Sequence, residues 1–423
     1  MDVWLLLELL VTFERIPLPL LLRGHLSDAV RHILMARLLR PHSPDGFEIA
    51  IICALPIERN AVEALLDEDY ETNGYSYGKA AGDLNAYTTG RLGNQHVVLA
   101  YVPGMGTISA TAVAANLRSS FERIKVGIVV GICGGVPKTA GGEEILLGDV
   151  IVSSSVIQID FGWQYQHQFI RKQNVEDTLG RAGPEIRAFV GRISGYLVSK
   201  RLKEKTNTYS AQICARKEFS KSVYPGPGKD LLYRADFLHK HWKQRCLICD
   251  EYNTSGNEVC EEAFKKSCTE LGCGEAQLVR RDRLREAMGI ELDESQSLTA
   301  DMQEARKACV HFGRMACSNK VITSGQHRDR IAGEEEVIGF EMESAGTWDY
   351  VPTIVIKSVC DYADSHRNKQ WQEYAATTAA ACTKAILEEW RSVDKPVRYP
   401  VNQEHLGEWQ SLIIVDSRAS RKS

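Results

Sequence analysis

Between residues 47 and 160 the chain alternates apolar, β-branched runs with segments patterned for helix, a rhythm that few architectures accommodate. The runs are "FEIAIICAL" from Phe47, "HVVLAYV" from His96, "KVGIVVGI" from Lys125 and "GDVIVSSSVIQI" from Gly148. Each is apolar through both alternating positions, the pattern of a strand covered on both faces. After the first run, "PIERNAVEALLDE" places Ile57, Ala61, Ala64 and Leu65 at helical spacing, with Pro56 where a helix can begin. "PGMG" then turns the chain into "TISATAVAANLRSSF", whose small residues allow close packing on a sheet. The rhythm returns late in "ACVHFGRMACSN", "EEVIGFEMES", "PTIVIKSVCDYAD" and the helix-patterned "QEYAATTAAACTKAILEEW". The expected fold is an α/β, three-layer α/β/α sandwich around a mixed, mainly parallel sheet.

Residues 1–45 read as an extension ending in the Pro/Gly linker "RPHSPDG", and 46–392 as one catalytic-type domain. A polar, cysteine-rich insertion spans about 197–305, and 393–423 form a tail. The apolar N-terminal stretch is interrupted by Glu8, Glu14 and Arg15, too broken to span a bilayer. The net charge of −4 gives no global field for nucleic acid, so neither nucleic acid nor membrane is an expected partner. Thiols in apolar runs such as "VVGICGG" suit a reducing compartment, hence a cytoplasmic location.

In open α/β sheets, ligands bind beyond the carboxyl ends of the strands. Five features fall there: Glu58, the glycines Gly104 and Gly106, the group Cys133, Gly134 and Gly135 expected to stop the third strand, the group Phe340, Glu341, Met342 and Glu343, and Asp361 with Asp364. Singly, each has a plainer reading as a helix-terminal carboxylate, a tight turn or a cap. Together they bring several carboxylates to one crevice. No G-x-G-x-x-G follows the first strand, which excludes a dinucleotide-dependent oxidoreductase.

Five segments, "IICALPIERNAVEALL", "YVPGMGTISATAVAANL", "VVGICGGV" with "LGDVIVSSS", "GFEMESAG" and "IKSVCDYAD", resemble the purine/uridine phosphorylase superfamily, in its methylthioadenosine/S-adenosylhomocysteine nucleosidase branch. "GFEMESAGTWD" and "LGRAGPEIRAF" resemble the fungal nucleoside-phosphorylase-like domain that heads NACHT, ankyrin and tetratricopeptide proteins. The resemblance implies Asp361 as the acid at purine N7 and Glu58 as the base for water. It implies Met342 and Glu343 as ribose contacts, and the backbone at Cys133–Gly135 as lining for base and sugar. It further implies a small-molecule partner, a homo-oligomer and no cofactor for catalysis. Glu58 stands where the phosphorylases of the superfamily place an arginine on phosphate, which favours hydrolysis over phosphorolysis. A nucleotide-sensing or effector module without turnover is the rival from another class.

If the substrate is a nucleotide such as ATP, its phosphates need clustered cations. Candidates are Arg171, Lys172, Arg181 and Arg281, each also readable as a solvated basic face. In the insertion, Cys246, Cys249, Cys260, Cys268 and Cys273 follow His239 and His241. Cys246, Cys249, Cys260 and Cys268 are the expected ligands of a structural zinc, although the spacing is not that of a standard finger.

Overall fold

The computed structural model describes residues 40–72, 74–251, 260–289, 299–367 and 369–391. Its centre is a nine-stranded sheet. In chain order the strands are β1 (Ile49–Cys53), β2 (Glu68–Asp69), β3 (Tyr87–Leu92), β4 (Gln95–Tyr101), β5 (Val126–Gly135), β6 (Val150–Gln158), the separate hairpin β7 (Gly162–Gln164) and β8 (Phe169–Arg171), then β9 (Val310–Cys317), β10 (Val337–Glu341) and β11 (Thr353–Asp361). The spatial order is β10-β9-β6-β11-β5-β1-β4-β3-β2, and β10 pairs back onto β5. β1 runs parallel to β4 and β5, β11 parallel to β5, and β9 parallel to β6 and β10. β6 is antiparallel to β11, and β3 to β4.

Period-2 alternation sorts the strand residues onto two faces. Ala50 and Ile52 of β1 join one core, with Val113, Leu117 and Phe121. Ile49, Ile51 and Cys53 join the other, with Ala61, Val62 and Ile386. Helices cover both faces: α1 (Pro56–Glu63), α4 (Tyr196–Cys214) and α7 (Gln372–Glu389) on one, α2 (Thr107–Ser120) and the single turn α6 (Ser344–Thr347) on the other. α3 (Pro184–Ile193) leads into α4, and α5 (Gly325–Glu335) precedes β10. α7 is buried along nearly its whole length, which its alanines permit by letting α1, α4 and the sheet approach closely.

Three expectations change. The third strand continues through Cys133, Gly134 and Gly135 instead of stopping before them. A Cβ on Gly135 would lie 2.6 Å from Val359, so bare backbone is what lets β11 close on this strand end. The insertion begins later than residue 197, because α4 packs against α7 and belongs to the core. Finally, Arg40 is already buried, on the Glu68 carboxylate, so packed structure begins before residue 46. Residues 1–39 of the extension, and the tail from 393, lie outside those described. Among the described residues, no helix is long and apolar enough to cross a membrane.

Candidate active site

Glu58 sits in the first turn of α1, where free backbone N–H groups attract a carboxylate. Its Oε2 accepts from the N–H groups of Ala54 (3.0 Å) and Leu55 (2.8 Å). Its Oε1 accepts from Ile132 N–H on β5 (2.9 Å). A Cβ on Gly131 would stand 2.0 Å from this Oε1, so only glycine leaves room for the carboxylate here. Burial pushes the carboxyl up from its ordinary range, and nearby Lys357 and the backbone donors partly offset it.

Lys357 lies inside β11 and is fully buried. Its Nζ is 2.9 Å from Glu343 Oε2 and 4.0 Å from Glu58 Oε1. Burial opposes its charge, but Glu343, Glu58 and Glu341 outweigh that and keep the ammonium protonated. Glu343 follows β10, and the Gly106 N–H reaches its Oε1 at 3.4 Å. Gly106 has φ 109°, a conformation that glycine adopts freely, and it starts α2. Asn319 bonds the same turn, its Oδ1 accepting from Thr107 N–H at 2.9 Å.

Asp361 closes β11. Its Oδ1 accepts from Ala363 N–H (2.9 Å), and its Oδ2 from Arg367 Nε (3.0 Å). The turn is tight: Ala363 has φ 50°, and its Cβ lies 2.9 Å from where a Gly134 Cβ would be. Strand register places Gly134 opposite both Asp361 and Phe340. Asp364, two residues on, is raised to about 6 by burial.

The fold therefore gathers Glu58, Gly106, Cys133–Gly135, Glu343 and Asp361 around the carboxyl ends of β1, β5, β10 and β11. Met342 lies beside them, partly buried, and Gly104 is in the turn before α2. Phe340 contributes backbone, since its ring joins the core. Glu341 is a correction. Its carboxylate turns back onto the N–H groups of Glu343 (3.0 Å) and Ser344 (3.1 Å) at the start of α6, so its acceptors are taken up within the turn.

The phosphate candidates are also corrected. Arg171 is held bidentate by Glu335 (2.9 and 2.8 Å), and Lys172 pairs with Asp177 (3.3 Å). Arg281 is buried on Asp230 Oδ1 (2.9 Å) and the Tyr362 hydroxyl. Exposed Arg181 borders a cleft with Trp348 and Thr353, at the start of β11, the opposite end from Asp361. The zinc set changes as well. Cys268 faces His239 together with Cys273, while His241 joins Cys246, Cys249 and Cys260. Sequence reasoning missed Lys357, Gly131, Asn319 and Arg367. A charged residue inside the apolar run "PTIVIKSVC" was the available signal for Lys357.

The family model described as "Phosphorylase superfamily" matches residues 48–214. A nucleotide-binding leucine-rich repeat (NLR)-like protein of Hyaloscypha variabilis is 27% identical over 347 residues, which is 82% of this chain and 29% of that protein. This chain thus spans under a third of that relative's length. The 5′-methylthioadenosine/S-adenosylhomocysteine nucleosidase of Neisseria meningitidis is 13% identical, with TM-score 0.43, covering 81% of this chain and 99% of that one. The futalosine hydrolase of Helicobacter pylori is 13% identical, with TM-score 0.45, covering 82% and 99%.

Proposed function

We propose, from the premise that residues 48–214 belong to the phosphorylase superfamily, that this chain hydrolyses the N-glycosidic bond of a purine nucleoside or nucleotide, releasing free base. The observation that carries the reading is the acceptor geometry of Glu58. A carboxylate offers about four lone-pair positions. Three take backbone N–H groups, and the one left is on Oε1, with Lys357 Nζ 4.0 Å away. A polar gap of that width suits a bridging water.

In this scheme the water oxygen attacks C1′ as the C1′–N9 bond breaks, and Glu58 takes the water proton. Glu343 accepts from the ribose hydroxyls, with Lys357 fixing its orientation. Asp361 serves N7 of the departing purine, since a purine anion leaves poorly without a proton there. The buried carboxylates also stabilise the cationic sugar of the transition state. They would repel a phosphate nucleophile, which favours water. We also read the chain as self-associating, supported by the exposed apolar side chains Met105 and Ile108 beside the Gly106 turn.

The test is chromatography of base release from adenosine, methylthioadenosine, AMP and ATP, with and without phosphate. Adenine is expected without phosphate, with Glu58→Gln and Asp361→Asn each lowering the rate by roughly 10²–10⁴. Release only with phosphate would overturn the role of Glu58. No release from any substrate would favour a binding or effector module.

A further inference from the structure

We propose that the insertion holds two structural zinc ions, and that the second is ligated in part by His366, from the loop that carries Asp361. The first set is His241, Cys246, Cys249 and Cys260, whose ligand atoms all lie within 4.8 Å of one another. Its measured edges are 3.3 Å (His241 Nδ1 to Cys249 Sγ), 3.8 Å (His241 Nδ1 to Cys260 Sγ) and 4.0 Å (Cys246 Sγ to Cys260 Sγ). Tetrahedral zinc, with Zn–S about 2.3 Å and Zn–N about 2.0 Å, gives S···S and S···N edges of roughly 3.8 and 3.5 Å. These thiols are free, and 4.0 Å is far from a disulfide bond.

The second set is His239, Cys273 and His366, again within 4.8 Å of one another, and Cys268, against His239, is the proposed fourth donor. His239 Nδ1 lies 3.6 Å from Cys268 Sγ and 3.7 Å from Cys273 Sγ. Its other nitrogen is 2.9 Å from the Lys266 carbonyl, an acceptor only. Nε2 must therefore carry the hydrogen, which leaves the Nδ1 lone pair aimed at the thiols. Metal-bound imidazoles are commonly oriented in this way.

His366 supplies an independent observation. It is buried, and neither ring nitrogen has a hydrogen-bond partner. Orphaned buried polar groups are costly, so natural structures give them a partner. Here the thiol cluster offers one, and the Asp364 carboxylate, 4.0 Å from Nδ1, is placed as an outer partner. Neighbouring rings fix the imidazole plane: Tyr233 stacks on it at 4.1 Å, and His239 meets it edge-on at 5.3 Å. The adjacent Ser365 hydroxyl accepts from His239 N–H (3.0 Å).

Soft thiolates mixed with imidazoles in fours select zinc, and two closed sets of four protein ligands make structural sites. The next residue after His366 is Arg367, which is bonded to Asp361. The second ion would thus brace a loop whose following side chain pairs with the proposed acid, making His366 a positioning residue.

The test is zinc content of the full chain purified from zinc-supplemented medium, by mass spectrometry, with X-ray absorption at the zinc edge. Two zinc per chain are expected, with an average shell of about 2.5 sulfur and 1.5 nitrogen ligands. His366→Ala and Cys273→Ser should each retain one zinc with a sulfur-rich shell, and Cys246→Ser one zinc with a mixed shell. Should a variant not fold, the wild-type stoichiometry and ligand shell still decide. One zinc in the wild type, no zinc with Cys246 and Cys260 oxidised, or two zinc retained in His366→Ala would each overturn the proposal. None of these readouts depends on base release, so failure of the proposed activity leaves this test intact.

Discussion

The sheet core and the cysteine-rich insertion solve the same problem, holding a chain in one conformation, by different means. The core buries long apolar strands on both faces, each fully buried aliphatic side chain contributing about 1.5–3 kcal/mol. The insertion has only Cys249, Cys260, Ala263 and Leu271 in its own cluster. The helices around these cysteines, Leu247–Glu251, Glu261–Lys265 and Cys268–Leu271, have five, five and four residues. Helices this short are marginal without outside support. Such a segment needs cross-links, which the two proposed zinc ions would supply.

The largest effect should come from breaking the Lys357 ion pairs inside the apolar core. Lys357→Met removes the cation that Glu58 and Glu343 share and leaves two buried carboxylates uncompensated. Losing one partner of a buried ion pair costs about 3–5 kcal/mol. Denaturant unfolding should register that loss, with base release falling as well. Adding Glu343→Gln to Lys357→Met should recover much of the stability but not the activity. If the single variant were as stable as the wild type, burial alone would be holding the core and Lys357 would be incidental.

Removing metal should act in the opposite place. With a strong chelator, amides in 237–249 and 260–275 should lose hydrogen-exchange protection, because metal binding and local folding are coupled. Those of the 362–367 loop should loosen with them through His366. Amides of β1, β5 and β11 should change by less than about 1 kcal/mol, since sheet stability rests on burial. Equal loss of protection in β5 would mean that insertion and sheet unfold as one unit, and the contrast between them would collapse.

Much of this division was legible in the sequence. Apolar runs located the core strands because burial on both faces demands them, and Glu58, Glu343 and Asp361 stood out as acids at strand ends. What stayed hidden depended on contacts between distant segments. Closure of β11 and the Asp361 turn onto the end of β5 is set by the bare backbone of Gly134 and Gly135, which reads locally as a turn. The commitments of Arg171, Lys172 and Arg281 to Glu335, Asp177 and Asp230 are long-range or loop pairings that composition cannot reveal. Grouping the cysteines failed for a related reason: spacing joined Cys268 to the first cluster, whereas its Sγ lies 3.6 Å from His239, which also faces Cys273.

The smallest expected effect sharpens the comparison at the junction of the two regions, which neither burial nor metal holds. Asp149, at the start of β6, accepts from Arg283 Nη2 of the insertion (2.9 Å), and its Oδ2 is 3.0 Å from His311 Nε2 on β9. Burial works against a charged imidazole at His311, but Asp149 and Glu143 outweigh it and raise the pKa to about 9. The folded value lies above the ordinary 6.5, so this contribution is fully present below pH 6.5 and is lost as pH rises through about 9. Burial also opposes the Asp149 carboxylate, yet Arg283 and His311 hold it well below its usual range, so it stays ionised across that window. Stability should therefore fall by roughly 1–3 kcal/mol between pH 6.5 and 9. His311→Gln should be less stable at pH 6.5 and should flatten the slope. Thermal melts of both proteins across that range check the assignment. A wild-type slope unchanged by His311→Gln would place the pH dependence elsewhere, and leave the Arg283–Asp149 pair as the charge contact tested at this junction.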